Sequence, residues 1–308
     1  MELTPVQQRT LDELMRMQPL PVFPRELVEG LRADLEHRLR PLTDNLRDGE
    51  GVWLSKSKLS DLHSRCEGLF LANHLGEGEF ELGWQLARGA LVHRAIAVSV
   101  NLPDRSDAEL VEAALAQLRR DDGAFDEYCV GLSDADLAAL ESEAVERVLL
   151  FRATFPPLQK AWSPAVEPSL KATFAGDRVV LSARPDLLLG SDDREEPMRA
   201  RRLVIELKTG GDRPEHDDDL RFYALLATLR LGVPPFRVAT VFLDDGTWRA
   251  HDVSADLLEA AVRRIGDGAI RAGAIIAGHE EPRLRPGPWC RWCPRAETCP
   301  ESMFRADG

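Results

Sequence analysis

Three cysteines near the C-terminus and one far upstream most constrain how this 308-residue chain can fold. Cys290, Cys293 and Cys299 form a C-x2-C-x5-C pattern in PGPWCRWCPRAETCP, and Cys66 lies in KLSDLHSRCEGLFLAN. Thiolates at such short spacings bind zinc or iron–sulfur clusters. If Cys66 is the fourth ligand, the metal centre closes a loop of more than two hundred residues.

Composition and termini point to the cytoplasm. No uncharged apolar run reaches the ~18 residues that a membrane helix needs. The N-terminal MELTPVQQRTLDELM lacks the basic start and apolar stretch of a secretory signal. In the reducing cytosol, clustered cysteines bind metal more often than they form disulfides. We therefore expect a cytoplasmic protein without a membrane segment.

The net charge of −13 argues against a protein that coats nucleic acid without specificity. It leaves room for an enzyme with a local basic groove, because the charges are unevenly distributed. Residues 121–147 are strongly acidic, whereas residues 263–295 carry seven arginines against three acids. On charge alone, a solvated helix face is the slightly favoured explanation of the basic stretch.

Hydrophobic spacing predicts helices in the first half of the chain. Residues 1–55 form a predicted helical arm that prolines interrupt near its middle. Further helices are predicted at 56–75 and 81–100, the latter with a stripe of Leu82, Leu86, Ala90, His93 and Ala97. Residues 105–160 are predicted to be a polar, acidic helical insertion.

Short runs rich in branched residues predict strands in the second half. These runs are VVLSARPDLLLG (179–190), RRLVIELKTG (201–210) and RVATVFLDD (237–245). Helices are predicted around 217–231 and 255–278. The order of elements predicts an α/β fold in which helices flank a mixed central sheet.

Two acids and a lysine lie where two of these strands end. Glu206 and Lys208 are two residues apart, so on a strand they project from the same face. If the strands form a hairpin, Asp186 comes alongside them. Carboxylates bind hard cations such as Mg²⁺ or Mn²⁺, and a nearby ammonium group can offset charge in phosphodiester hydrolysis. Proline–aspartate pairs also occur in ordinary turns, but only five of the 39 basic residues are lysine, so Lys208 is informative.

Together these motifs resemble the PD-(D/E)xK nuclease superfamily, which has a restriction-endonuclease-like core. The match to its RecB-type branch rests on Gly89 and His93 as a G-x3-H helix motif, and on Tyr223 in place of the tyrosine of Q-x3-Y. Position 219 departs from the pattern, because Asp219 stands where the branch has glutamine. An acid there would repel phosphate unless it binds metal.

The resemblance implies a role for each residue of the site. Asp186, Glu206 and His93 would bind Mg²⁺ or Mn²⁺, and the Leu207 carbonyl would add a ligand. Lys208 would serve the attacking water or the transition state, and Tyr223 would position the substrate. Glu167 and Asp219 are additional candidates. A buried core role for His93 or Tyr223 is the simpler alternative for each taken alone.

The cysteine layout resembles the iron–sulfur members of the branch, which include CRISPR-associated RecB-like exonucleases and AddB-type nuclease domains. It implies a [4Fe–4S] cluster on Cys66, Cys290, Cys293 and Cys299, with zinc as the alternative. The implied organisation is an arm at 1–55, a nuclease domain at 56–300 and a tail at 301–308.

We therefore expect a metal-dependent DNA exonuclease acting on single strands or duplex ends. It would serve DNA repair, recombination or CRISPR adaptation, with a helicase or CRISPR adaptation proteins as possible partners. The alternative is a weakly active or inactive DNA-binding module that assembles with such partners.

Overall fold

The computed structural model describes residues 2–47, 49–78 and 82–304. Residue 81 of the predicted helix and residues 305–308 of the predicted tail lie outside the described residues. The α-helices are α1 (Pro5–Arg9), α2 (Arg25–Leu39), α3 (Pro41–Asn45), α4 (Lys56–His63), α5 (Glu67–His74), α6 (Trp84–Asn101), α7 (Asp107–Asp121), α8 (Gly123–Val130), α9 (Asp134–Thr154), α10 (Glu215–Leu231) and α11 (Ala255–Ile276). No helix within the described ranges is both long and apolar enough to span a bilayer.

The strands form two sheets rather than the one predicted. They are β1 (Val52–Leu54), β2 (Ala165–Val166), β3 (Leu170–Phe174), β4 (Val179–Ala183), β5 (Leu187–Leu189), β6 (Leu203–Lys208), β7 (Arg237–Phe242) and β8 (Thr247–Asp252). One sheet has the order β1-β4-β3 and the other β2-β5-β6-β7-β8. Both mix parallel and antiparallel pairs, which confirms the predicted α/β class.

The break between the two sheets falls where Pro185 and Asp186 interrupt the strand-like run 179–190. Arg184, Pro185 and Asp186 separate β4 from β5, and the two strands join different sheets. Proline has no N–H to give to a ladder, so the chain leaves the first sheet there. The break therefore sets Asp186 at the entrance to β5, beside β6.

The five-stranded sheet is covered by helices on both faces. Residues 203–207 of β6 are all buried, as expected for a central strand between two helical layers. One face packs against α10 in the core that α2, α11 and the three-stranded sheet also share. The other face packs against α6 and the helices of the insertion.

The predicted insertion is helical and forms part of the protein core. Its helices α7, α8 and α9 bury Leu110, Phe125 and Val148 in the same cluster as Leu203 and Ile205 of β6. In the N-terminal segment, α2 packs along α11 through buried leucines. Both segments therefore support the sheet directly.

The buried face of α6 differs from the stripe that includes His93. Leu86 is 55% exposed, whereas Ala87, Leu91 and Ala95 of the same helix are fully buried. The reason is that α6 turns its apolar side to the sheet and insertion. The stripe that contains His93 is only partly covered, and it borders the acids at the end of β6.

A buried ion pair ties the chain around Cys66 to the C-terminal region. Glu67 is 1% exposed and receives hydrogen bonds from the Arg271 side chain and from the backbone N–H of Arg283. Burial opposes ionisation of Glu67, but the paired Arg271 keeps the pKa of its carboxyl below the usual range. The pair thereby joins α5, α11 and the segment that leads to the cysteine cluster.

Replacing Glu67 with alanine should lower the free energy of unfolding by about 3–5 kcal/mol, because Arg271 would remain buried without its main partner. Glu259→Ala is the matched control, since Glu259 pairs with Arg263 on the exposed surface of α11. It should change the free energy by about 0.5 kcal/mol or less. Urea unfolding followed by circular dichroism measures both, and equal effects would contradict the role given to Glu67.

Candidate active site and cysteine centre

The first acid of the site is fixed by the backbone of β6. The Oδ2 atom of Asp186 accepts the N–H of Leu207 at 2.6 Å. Its Oδ1 atom lies 2.7 Å from Nδ1 of His93. Since Leu187 pairs with Ile205 in an antiparallel ladder, Asp186 stands across from Glu206. The predicted hairpin therefore brings the two carboxylates together at the end of β6.

Glu206 is a charged side chain held almost entirely away from water. It is 4% exposed, and Nζ of Lys208 lies 2.7 Å from its Oε1 atom. Burial would raise the pKa of Glu206, but the charges of Lys56 and Lys208 outweigh it and lower the pKa to about 2. Glu206 is therefore an anion over the whole physiological pH range.

Lys56 is a member of this site that the sequence analysis missed. It is the first residue of α4, and its Nζ atom contacts the same Oε1 atom of Glu206 that Lys208 contacts. The only available signal was its residue type, because lysine is rare in this chain. The local sequence SKSKL does not predict that the Lys56 side chain contacts Glu206.

Two residues of α10 complete the floor of the site. Tyr223 is 2% exposed, and its ring centroid lies 5.1 Å from Nζ of Lys56. Burial and then the charges of Glu206 and Asp186 raise the pKa of its hydroxyl well above the usual value. Asp219 is 9% exposed, and its carboxylate lies 3.9 Å from Nζ of Lys208. Burial raises the pKa of Asp219, and the two lysines partly offset this effect. Three carboxylates and two ammonium groups thus converge on one small region.

Helix α6 approaches this region closely enough to explain both residues of its G-x3-H motif. A Cβ atom on Gly89 would lie 3.3 Å from Oγ1 of Thr209, which directly follows Lys208. Arg88 fixes the approach by donating to the Thr209 carbonyl at 2.9 Å. One turn later, His93 reaches Asp186. Burial disfavours a charged imidazole, but the Asp186 carboxylate raises the pKa of His93 above its usual value.

Glu167 lies beside the site through its backbone. Its N–H donates to the Asp186 carbonyl at 3.0 Å, and its φ of 44° is in the left-handed region. Such a conformation is uncommon for a residue with a side chain and requires support from its surroundings. The Glu167 carboxylate is 3.9 Å from the Arg184 guanidinium, so the acid borders the break between the two sheets.

The four predicted cysteines line one cleft. All four are free thiols, Cys66 and Cys290 are buried, and the Cys66 sulfur accepts the N–H of Arg285 at 3.5 Å. Burial and then the proximity of the three other thiols raise the pKa of Cys293. The structure therefore brings the remote cysteine to the C-terminal trio.

Protein contacts hold the cysteine segment in place independently of any metal. Arg295 forms two hydrogen bonds of 2.5 Å with the Glu77 carboxylate. Gly78 has a φ of 76°, and a Cβ atom there would lie only 2.9 Å from Pro294. A glycine at 78 is thus required by both its conformation and the close approach of the segment.

Comparison with known proteins identifies the family. A family model of the PD-(D/E)XK nuclease superfamily matches residues 54–300. The chain belongs to this superfamily. Its mixed α/β architecture is consistent with the restriction-endonuclease-like fold, and membership implies a nuclease that acts on DNA. No curated protein matches the sequence.

Solved structures agree with the fold of this nuclease. A candidate exonuclease from Eubacterium rectale superposes with a TM-score of 0.50 at 14% identity, covering 87% of this chain and 90% of that one. Rai1 from Scheffersomyces stipitis gives a TM-score of 0.27 at 10% identity, over 84% of this chain and 76% of that one. The second likeness is too low to carry an argument.

Nucleases of this superfamily typically use divalent metals such as Mg²⁺. Among the residues described, no group of three or more His, Cys, Asp and Glu side chains has the geometry to hold a metal ion. The nuclease carboxylates contact cationic side chains instead: Glu206 contacts two lysines, and Asp186 contacts His93. Their donor chemistry nevertheless fits, because carboxylate and carbonyl oxygens are the ligands that hard cations prefer.

Tyr223→Phe should lower the free energy of unfolding of this nuclease by about 1–3 kcal/mol, because the buried Glu206 carboxylate would lose a neighbouring polar hydroxyl. Tyr128→Phe is the matched control, since Tyr128 is the other tyrosine of the chain and lies on α8 in the insertion. Urea unfolding of the two variants is the measurement. A Tyr223 effect no larger than that of Tyr128 would argue against the contact with Glu206.

Proposed function

We propose that this protein is a metal-dependent deoxyribonuclease, an exonuclease on single-stranded DNA or duplex ends. The observation that carries the proposal is the convergence of Asp186, Glu206, Lys208 and His93 at the end of β6. A protein that only binds DNA has no chemical need for all four. The similarity in fold to a candidate exonuclease is compatible with this activity, but it supports only the architecture of the protein.

Asp186 and Glu206 would hold the cation, with His93 as a third side-chain ligand. The Leu207 carbonyl is a plausible fourth, because N–H and C=O of one strand residue point to the same edge and the Leu207 N–H points to Asp186. Bound Mg²⁺ or Mn²⁺ polarises the phosphate and lowers the pKa of a water ligand.

Three side chains act around that centre. Lys208, which is two residues from Glu206, would orient the attacking water or offset negative charge in the transition state. Tyr223 is buried, so we assign it to holding Glu206 in place. Because Glu206 would bind the cation that contacts the phosphate, Tyr223 would position the substrate indirectly. Glu167 would support Asp186 from the neighbouring strand, and Asp219 would balance the lysines.

Lys208→Ala should abolish most cleavage while leaving the fold intact, because Lys208 is at the end of a strand and 22% of its side chain is exposed. End-labelled single-stranded and duplex DNA with Mn²⁺ or Mg²⁺ is the assay, and circular dichroism is the folding control. We expect a loss of at least about 100-fold, typical of removing an electrostatic group from a transition state. Undiminished cleavage by the variant would refute the assignment.

A non-cutting DNA-binding module remains the second candidate, because Asp219 and the net charge of −13 both disfavour phosphate. Calorimetric titration with Mn²⁺ separates the two functions. If the site is catalytic, wild-type protein should bind Mn²⁺ and the Asp186→Ala variant should not. If the site has lost its activity, neither protein should bind Mn²⁺.

The four cysteines would hold a [4Fe–4S] cluster. Zinc is the alternative metal, because the same four thiolates can bind it. Their shared cleft and free thiols support a metal centre there. The cluster would act as a structural clasp between α5 and the C-terminal segment. We place the protein in the cytosol, in repair, recombination or CRISPR adaptation beside a helicase or adaptation proteins, on the strength of the sequence resemblance to the RecB-type branch.

Cys66→Ser should lose the cluster, because the variant removes one of four thiolate ligands. Anaerobically purified protein should be brown and contain iron and sulfide, and the variant should have neither in stoichiometric amount. Cys129→Ser is the matched control, since Cys129 is buried in the insertion away from the cleft. Colourless wild-type protein containing zinc would establish the alternative metal.

A further inference from the structure

The active site has more negative charge than one lysine can offset. Asp186, Glu206 and Asp219 lie together, and Lys208 is already paired with Glu206. A DNA phosphate that approaches this group brings a further negative charge. Like charges at a separation of about 4 Å repel by roughly 1 kcal/mol in water and more in a partly buried site. A second cation is therefore needed at the point where the substrate enters.

Lys56 is positioned to be that cation. Its Nζ atom contacts Oε1 of Glu206 and also lies 5.1 Å from the centroid of the buried Tyr223 ring. The side chain is 27% exposed, so it borders both the buried carboxylate and solvent. It reaches the site from α4, a different element from the strand that carries Glu206 and Lys208.

The present contact of Lys56 puts two ammonium groups on one oxygen atom. Lys208 is held beside Glu206 by the strand itself and also lies near Asp219. Among the described residues, Lys56 forms an ion pair only with Glu206, whereas Lys208 pairs with both Glu206 and Asp219. If Glu206 binds a divalent cation, repulsion therefore displaces Lys56 more easily than Lys208.

Residue type supports the same assignment. The chain uses arginine for most of its ion pairs, and lysine accounts for five of 39 basic residues. Two of the five meet at one carboxylate oxygen. A compact ammonium group can move between an oxygen of Glu206 and a phosphate oxygen, whereas the planar guanidinium of arginine requires more space.

We propose that Lys56 is a second active-site lysine, which neutralises Glu206 in the resting enzyme and transfers to the DNA phosphate when Glu206 binds the divalent cation. The inference rests on the proposed nuclease function. It gives Lys56 two opposed effects: the side chain competes with the metal for Glu206, and it favours binding of the substrate.

Lys56→Met tests both effects in the full-length protein. Calorimetric titration with Mn²⁺ alone should show about tenfold tighter binding, because a competing positive charge is gone. At saturating Mn²⁺, cleavage of end-labelled DNA should fall about 10- to 100-fold in kcat/KM, as expected when one charge-assisted contact to phosphate is lost. Lys56→Arg should restore cleavage only in part, because arginine keeps the positive charge but needs more space than the ammonium group.

Lys58→Met is the matched control, because Lys58 lies on the same turn of α4 and loses the same charge. It should change neither quantity by more than about twofold, since the charge that acts on the pKa of Lys58 is that of Asp61 rather than that of a group in the site. Weaker Mn²⁺ binding in Lys56→Met would indicate a merely structural role and overturn the proposal. Unchanged binding and unchanged cleavage would also overturn it.

The two proposals fail in different ways. If wild-type protein does not cut DNA, the nuclease function falls, yet the Mn²⁺ titration still tests the competition between Lys56 and the metal. If wild-type protein cuts and Lys56→Met matches it in both assays, the nuclease function stands and the role of Lys56 is refuted.

Discussion

The burial of the Glu206 charge is the constraint on which the site depends. An isolated carboxylate withdrawn from water is strongly unfavourable, so it must be paired and hydrogen-bonded. Lys208 supplies one partner from the same strand and Lys56 supplies another from α4, while the Tyr223 ring of α10 lies beside Lys56. Packing of these helices against β6 therefore serves the chemistry and the fold at once.

A second constraint acts at the start of α5, the helix that follows α4. Glu67 directly follows Cys66, and its pair with Arg271 holds that helix to α11. Arg295 and Glu77 hold the C-terminal trio to the chain just after the same helix. Because α4 and α5 are consecutive, a centre at the cysteines would also stabilise the helix that presents Lys56. This connection gives a physical reason for a metal clasp in a small nuclease.

The sequence was informative where the chemistry is local. Glu206 and Lys208 share a strand face through simple alternation, and Pro185 predicts the break that exposes Asp186. The strands β1, β3 and β8 escaped prediction. The first two have only three and five residues, and β8 is a polar edge strand of six residues whose pairing with β7 fixes its conformation. Lys56 escaped because its contact spans 150 residues and depends on how α4 docks.

Asp219 shows how a departure from a family pattern can be read physically. Replacing a neutral glutamine with a carboxylate adds negative charge beside a phosphate site, which alone would weaken substrate binding. In this chain Asp219 is buried, its pKa is raised by that burial, and the lysines at 56 and 208 are the strongest opposing influences. The extra acid and the extra lysine are thus balanced against each other. Lys56 and Asp219 line the same small pocket, so the positive charge of this lysine acts on the extra acid.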